Sequence, residues 1–133
     1  MNTPLENTRS LRVAIVDLRE LTHIGFKCYM RDLGQHRLVL AAERSSELLS
    51  ALRGGLELDV AFIFFDDPDP GTSKVLLKRM QQFHPDVRTI ALFYSPDKAL
   101  AEYANEAGAH TILTTREFTV VRFGKLMAEL ARR

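Results

Sequence analysis

The sequence predicts an α/β protein in which a parallel β-sheet carries helices on both faces. Short apolar runs rich in β-branched and aromatic residues alternate with longer segments of helical periodicity, and no repeat or linker interrupts the alternation. One run, Val60 to Phe65, lacks any polar alternation, which is typical of a strand covered on both faces. The 133 residues, 46% of them hydrophobic, are enough to bury such a two-sided core as one domain.

The apolar runs predict five strands. They are preceded by a polar segment, residues 1–10, which we expect to be a flexible lead-in to a domain spanning 11–133. The predicted strands span residues 11–17, 36–42, 60–65, 89–94 and 110–114.

Five helices are predicted between and after the strands. Hydroxyl side chains stand where N-terminal caps are needed, at Ser45 or Ser46, at Thr72 or Ser73, and at Ser95. In the first and last helices the apolar residues recur near helical spacing, which places each set on one side: Leu21, Ile24, Cys28, Tyr29 and Leu33, then Phe118, Val121, Leu126 and Leu130. The predicted spans are 19–33, 45–53, 74–84, 96–108 and 117–132.

Strict alternation of strand and helix in a chain of this length fits the flavodoxin-like, doubly wound order 2-1-3-4-5. In that order the first and third strands are neighbours. Asp17, after the first strand, and the acids after Phe65 are therefore expected side by side at the carboxyl edge of the sheet, where open α/β folds build their sites.

Composition argues against several classes of protein. The net charge of +1, from 18 basic and 17 acidic residues, gives no electrostatic reason to expect nucleic-acid or membrane binding by this domain alone. The single cysteine, Cys28, precludes an internal disulfide and fits a reducing cytoplasm. Neither a membrane-spanning run nor a signal peptide is apparent. No Ser-His-Asp arrangement, glycine-rich phosphate loop or zinc pattern is present, so we expect no enzymatic activity.

Four segments, in this order and spacing, resemble the receiver domains of response regulators. They are RVAIVD at the first strand, DVAFIFFDDPDPG at the third, HPDVRTIAL at the fourth and EAGAHTIL at the fifth. The last two are closest to CheY-like receivers that precede helix-turn-helix domains of the NarL/LuxR type. The resemblance covers residues 11–130 and implies a cytoplasmic signal-input domain of a transcription regulator.

The resemblance also implies five chemical groups at the carboxyl edge. Receivers use two adjacent acids to bind a divalent metal, an aspartate to accept a phosphoryl group, and a hydroxyl and a lysine to contact the phosphate, because phosphoryl transfer brings several negative charges together. Asp17 matches the first acid, but its partner position is Leu18. The hydroxyl position is Phe93, and the lysine position is Thr114.

The phosphoacceptor position depends on the register of the third strand. Counting forward from Asp59 leads to Phe64, counting back from His84-Pro85 leads to Phe65, and counting back from Pro70-Gly71 leads to Asp66. Asp66 is the candidate acceptor if there is one. We expect Phe93, with Phe64 or Phe65, to replace the polar pocket by packed apolar surface.

We therefore predict a degenerate phosphorylation site and regulation that does not depend on phosphorylation. No cofactor is expected, although Asp17, Asp66 and Asp67 would be the ligands if Mg²⁺ were bound. A solvated acidic turn without an ion is the competing interpretation. Three alternative functions stay open: a true phosphorylation switch at Asp66, a domain that binds a small-molecule or protein regulator, and an enzyme on a flavodoxin-like fold. The missing phosphate-binding glycine loop argues against the enzyme, but the fold alone does not exclude it.

The resemblance implies a homodimer, and DNA binding only through a C-terminal helix-turn-helix domain outside this chain. The apolar residues Tyr103, Val120, Phe123 and Met127 exceed what one buried helix stripe needs, so they are the predicted dimer face. No membrane partner is expected.

Overall fold

A computed structural model describes residues 9–65 and 70–132 of the chain. These residues form five strands and five helices in strict alternation, as the sequence predicts. In chain order the elements are β1 (Arg12–Val16), α1 (Glu20–Leu33), β2 (Arg37–Ala42), α2 (Ser45–Arg53), β3 (Val60–Phe64), α3 (Gly71–Phe83), β4 (Arg88–Phe93), α4 (Lys98–Glu106), β5 (Thr111–Thr114) and α5 (Val120–Leu130).

The five strands form one parallel sheet in the order β2-β1-β3-β4-β5, which confirms the predicted topology. Val16 of β1 pairs with Ile63 of β3, and Ile63 pairs with Ala91 of β4. The carboxyl ends of the three central strands therefore lie level, so that the residues just after them share one edge.

Two hydrophobic cores cover the two faces of the sheet. Because side chains alternate along a strand, Phe62 and Phe64 face one core while Ile63 and Phe65 face the other. The first core holds the buried side chains of α1 and α5, and the second holds those of α2, α3 and α4. All five residues of β3 are buried, which confirms that this run is covered on both sides.

The buried face of α1 differs from the predicted one. Phe26 and Met30 are its buried residues, whereas Leu21 is 82% exposed and Ile24 is 52% exposed. Phe26 packs edge-on against Phe62 of β3, with ring centroids 5.0 Å apart. The larger aromatic ring determines which side of the helix is buried, and the smaller aliphatic residues are left at the surface.

Several helix starts also differ from the prediction. The cap of α4 is Asp97, whose carboxylate accepts from the Leu100 amide at 3.0 Å, and Ser95 is not the cap. Thr119 caps α5 by accepting from the amide of Arg122, so this helix begins three residues after Glu117. Each of these side chains satisfies an amide that would otherwise lack an intrahelical partner.

In the two helices that border the acidic edge, which is the carboxyl edge of the sheet around Asp17, the predicted hydroxyl caps lie inside the helix and do not cap it. Helix α2 begins at Ser45, and Glu47 accepts from the amides of Glu43 and Arg44. Helix α3 begins at Gly71, so Ser73 lies inside its first turn, where its hydroxyl donates to the carbonyl of Phe64 at 3.4 Å. Ser73 thus ties α3 to the end of β3.

An ion pair joins β1 to the start of β3 at the amino edge of the sheet. Asp59 accepts from the Arg12 amide at 2.8 Å and from two guanidinium nitrogens of Arg12 at 3.0 and 3.1 Å. Arg9 is also attached to the domain, because its amide donates to the carbonyl of Ala131 at 3.0 Å. The rest of the predicted lead-in before Arg9, residues 1–8, lies outside the described residues.

Half of the predicted dimer face is buried in the monomer. Phe123 and Met127 are both 0% exposed and belong to the first core, so their assignment to an interface is wrong. They are buried because α5 packs against the sheet and α1 along this side. Tyr103 is partly buried, and Val120 is 51% exposed. Among the described residues, no helix has the length and apolar character needed to cross a membrane.

Candidate functional site

The acidic edge is built around Asp17, the first residue after β1. Its amide donates to the carbonyl of Ala42 at the end of β2, at 3.0 Å, and this bond holds the residue in line with the sheet. The residue is only 1% exposed, although it carries a carboxylate. A carboxylate removed from water needs donors or a positive charge close by.

Tyr94 supplies a donor to this carboxylate from the end of β4. The Tyr94 hydroxyl donates to Asp17 Oδ2 at 2.5 Å. Burial raises the pKa of Tyr94 to about 12, and the hydrogen bond to Asp17 adds to the shift. The phenol is therefore protonated at neutral pH and remains a donor.

Arg19 supplies the positive charge. Its Nη1 lies 3.5 Å from Asp17 Oδ1, and its guanidinium carbon lies 3.8 Å from the centre of the Tyr94 ring. The guanidinium thus contacts both partners of the hydrogen bond, by charge on one side and by a cation–π contact on the other. Oδ1 is buried and has no hydrogen-bond partner among the described residues, so Arg19 is its source of charge compensation.

Two residues of α1 complete the cluster. His23 Nε2 lies 2.6 Å from the backbone carbonyl of Asp17. Since a carbonyl only accepts, this nitrogen carries the hydrogen. The hydroxyl of Thr22 lies 3.5 Å from that of Tyr94. Helix α1 therefore contacts the main-chain carbonyl of Asp17 through His23. Through Thr22 it also contacts Tyr94, the donor to the Asp17 carboxylate.

The structure places two of the three candidate acceptor positions, Phe64 and Phe65, in different surroundings. Phe64 ends β3 and lines the same cavity as Asp17 and Leu18. Phe65 points to the opposite core, where it packs edge-on against Phe93 with ring centroids 4.9 Å apart. Asp66 lies outside the described residues, as does Asp67. The expected apolar packing around Phe93 is therefore present, with Phe65 as its partner.

Thr114, which the resemblance matches to the lysine of receivers, is bonded within its own loop. Its amide and its hydroxyl both donate to Oε1 of Glu117, at 2.8 and 3.0 Å. Both bonds lower the pKa of the Glu117 carboxyl, and the bond from the amide has the larger effect. This position therefore carries an uncharged hydroxyl that is already paired with a carboxylate.

A cavity of about 340 Å³ opens at the acidic edge. Asp17, Leu18 and Phe64 are among the residues that line it, and so are Arg44, before α2, and Thr72, in the first turn of α3. Leu18 is 56% exposed.

The described residues of this edge do not fit a divalent metal. Asp17 Oδ2 is occupied by the Tyr94 hydroxyl, and Oδ1 faces the cation of Arg19. A second positive charge beside Oδ1 would repel that guanidinium. No group of three or more His, Cys, Asp or Glu within residues 9–65 and 70–132 is placed to hold a metal ion. A site that depends on Asp66 and Asp67 stays a prediction.

Sequence reasoning missed the two residues that satisfy Asp17. Arg19 stands two positions after Asp17, and Tyr94 directly follows Phe93, but neither spacing is a known motif. The available signal was the isolated acid itself. An aspartate that directly follows a buried strand and is itself followed by Leu18, with no charged neighbour, requires a compensating donor or cation.

The described fold is similar to that of several receiver domains of known structure. The signal receiver domain of the response regulator NarL from Mycobacterium tuberculosis has a TM-score of 0.78 and 19% identity, over 91% of this chain and 95% of that one. The isolated receiver domain of RcsB from Salmonella enterica has a TM-score of 0.80 and 18% identity, over 92% and 88%. The signal receiver domain of an HD domain-containing protein from Pseudomonas fluorescens has a TM-score of 0.77 and 21% identity, over 92% and 88%.

Part of the structure of a longer protein is also similar to this fold. A structure of RcsB dimers bound to DNA matches 91% of this chain with a TM-score of 0.77 and 18% identity, and this chain covers 60% of that protein. No protein-family model and no curated protein sequence matches the chain. The fold is thus that of receiver domains, which confirms the resemblance predicted from the sequence at the level of the fold.

Proposed function

We propose that this chain is the receiver domain of a response regulator whose regulation does not depend on phosphorylation. The observation that supports this best is the state of Asp17, which Tyr94 and Arg19 neutralise from within the protein. In phosphoryl transfer, positive charge and donors must be directed at the incoming phosphate. Here the cation and the donor of the edge are directed at a carboxylate instead.

The other positions support the same proposal. Phe93 takes the place of the phosphate-sensing hydroxyl and is packed against Phe65. Thr114 takes the place of the lysine and is bonded to Glu117. With no cation and no free hydroxyl at these positions, a phosphoryl group on Asp66 would lack the contacts that make a receiver change conformation.

We further propose that the domain works by assembly, as a cytoplasmic homodimer without enzymatic activity. Exposed aliphatic side chains lie on two helices that pack together, Leu21 and Ile24 on α1 and Val120 and Val121 on α5. Contact between these residues of two copies would remove apolar surface from water. The assembled pair would present a C-terminal DNA-binding domain outside this chain, by analogy with the DNA-bound RcsB that this chain partly covers.

Acetyl phosphate and beryllofluoride test the phosphorylation part of the proposal. With Mg²⁺ present, we expect mass spectrometry to find no phosphoryl adduct on the wild type above the level of Asp66→Asn. We expect beryllofluoride to leave the amide chemical shifts of β4 and α5 unchanged. An adduct that is lost in Asp66→Asn, together with saturable shifts that reach α5, would establish the alternative of a true switch.

Sedimentation equilibrium tests the assembly part independently. We expect a dimer that Leu21→Glu converts to a monomer, because a charge on this exposed position opposes burial in an interface. Val75→Glu is the matched control, since Val75 is 53% exposed but lies on α3, on the other face of the sheet. A monomeric wild type, or equal effects of the two variants, would contradict the proposed interface.

A further inference from the structure

A second cavity lies on the side of the sheet that carries α1 and α5. It has a volume of about 230 Å³ and opens between α1, the ends of β3 and β4, and the turn after β5. Five of its lining side chains are aromatic: Phe26, Tyr29, Phe64, Tyr94 and Phe118.

The aromatic side chains that line this cavity, which we call the aromatic cavity, pack against one another. Phe118 lies with its ring centroid 6.2 Å from those of Phe26 and Phe64, and 5.6 Å from that of Tyr29. Phe64 and Tyr94 lie 6.1 Å apart. Each ring is held in place by its neighbours, so the faces and edges offered to the cavity are largely preformed.

Four of the residues that line the cavity carry a hydroxyl: Thr22, Tyr29, Tyr94 and Thr115. The Tyr29 hydroxyl donates to the carbonyl of Phe118 at 3.4 Å. The Thr22 hydroxyl lies 3.5 Å from the hydroxyl of Tyr94. None of the described side chains that line the cavity is charged. The walls therefore favour a neutral ligand, and the neighbouring hydroxyls of Thr22 and Tyr94 offer it a point of hydrogen bonding.

Gly25 is one of the residues that line this cavity. It lies inside α1, where glycine lowers helix stability relative to alanine. Its φ is not positive, and apart from the helix itself no described heavy atom lies within 4 Å of the place a Cβ would take. Neither backbone conformation nor a close neighbour therefore requires a glycine here. Gly25 lines the cavity, and a side chain there would lean back toward Thr22 and occupy it.

We propose that the aromatic cavity binds a small neutral molecule with one or two aromatic rings and a single hydrogen-bonding group. The rings would stack among Phe26, Phe64 and Phe118, and the polar group would meet Thr22 and Tyr94. Because Tyr94 also donates to Asp17, a ligand that engages its hydroxyl acts directly on the acidic edge. The site goes beyond the proposed function, since it exists whether or not Asp66 accepts a phosphoryl group.

Indole is a suitable probe, because it is a neutral two-ring molecule with one N–H donor and the protein contains no tryptophan. With excitation at long wavelength, where tyrosine absorbs little, emission reports the environment of the probe alone. We expect a saturable blue shift, complete by about 1 mM for a ligand of this size. Indole should also give intermolecular NOEs to the ring protons of Phe118 and Phe26.

Two leucine variants of α1 locate the binding. Gly25→Leu fills the cavity and should weaken indole binding by at least about tenfold. Lys27→Leu adds the same side chain at an exposed position outside the cavity and should leave binding unchanged. The proposal is overturned by a shift that does not saturate, by equal affinity of Gly25→Leu and wild type, or by NOEs to other residues. If Gly25→Leu does not fold, the NOEs on the wild type decide.

Discussion

The Tyr94 hydroxyl donates to Oδ2 of Asp17 across an intervening strand. Asp17 follows β1 and Tyr94 follows β4, and β3 lies between them in the sheet. The bond therefore passes over the end of β3, where Phe64 carries no polar group. It connects the two halves of the sheet at the edge where receiver domains place their phosphoacceptor.

Replacing Tyr94 by phenylalanine tests this bond. Tyr94→Phe leaves Asp17 with neither oxygen hydrogen-bonded by a side chain, and we expect the free energy of unfolding to fall by about 1–3 kcal/mol. Urea denaturation measures the change. Tyr103→Phe is the control, because the Tyr103 hydroxyl donates at 3.2 Å to a neutral carbonyl, that of Lys74. A loss in Tyr94→Phe no larger than in Tyr103→Phe would show that the bond contributes little.

The pH dependence of stability between pH 8 and pH 5 is expected to depend on His36. This side chain is 9% exposed, and its Nδ1 accepts from the Leu11 amide at 3.0 Å. Burial lowers the pKa of His36 below its usual value of 6.5. The unfolded chain therefore takes up a proton that the folded chain resists, and the stability contributed by the neutral imidazole is lost as pH falls through 6.5.

His36→Asn separates this effect from those of other groups, because asparagine keeps an acceptor and does not titrate. We expect the urea midpoint of the wild type to decline from pH 8 to pH 5 more steeply than that of His36→Asn. Parallel pH profiles for the two proteins would contradict a role for His36.

The ion pair at the amino edge is expected to contribute strongly to stability. Burial works to raise the pKa of Asp59, but the hydrogen bonds and charge of Arg12, with the charge of Arg9, outweigh it and hold the pKa below its usual range. We expect Asp59→Asn to reduce the free energy of unfolding by about 1.5–3 kcal/mol, the range for hydrogen bonds to charged groups.

Glu57→Gln is the matched control for that experiment. Glu57 also pairs with Arg12, at 2.7 Å, but its side chain is 80% exposed. Solvent screens such a pair, and its removal should change stability by less than about 1 kcal/mol. Equal losses in the two variants would mean that burial of Asp59 does not strengthen its interaction.

Replacement of glycine by alanine is expected to have opposite effects on stability at Gly108 and at Gly25. Gly108 has a φ of +88°, and a Cβ there would lie 2.8 Å from Nε2 of Gln81, so Gly108→Ala should destabilise the protein by about 1–2 kcal/mol. Gly25→Ala meets no neighbour within 4 Å outside its own helix and should stabilise the protein by about 0.5–1 kcal/mol. Thermal unfolding of the two variants compares them, and shifts of the same sign would contradict this reading of the backbone.

The order of elements was predictable because each depends on local periodicity. The continuous apolar run from Val60 to Phe65 identifies a strand covered on both faces, and the observed order 2-1-3-4-5 follows from alternation and handedness. The side of a helix that is buried was not predictable in α1. Leu21 and Phe26 are both apolar, and only packing against Phe62 determines that Phe26 is the one that is buried.

At the acidic edge too, some features can be predicted from the sequence and others depend on the tertiary structure. The sequence by itself leads to the prediction that Leu18, Phe93 and Thr114 stand where a receiver needs an acid, a hydroxyl and a lysine, because that assignment uses only positions along the chain. The tertiary structure alone decides what Asp17 does instead. Its partners, Arg19 and Tyr94, are 2 and 77 positions away, and only the parallel alignment of the strand ends brings the phenol within 2.5 Å of the carboxylate.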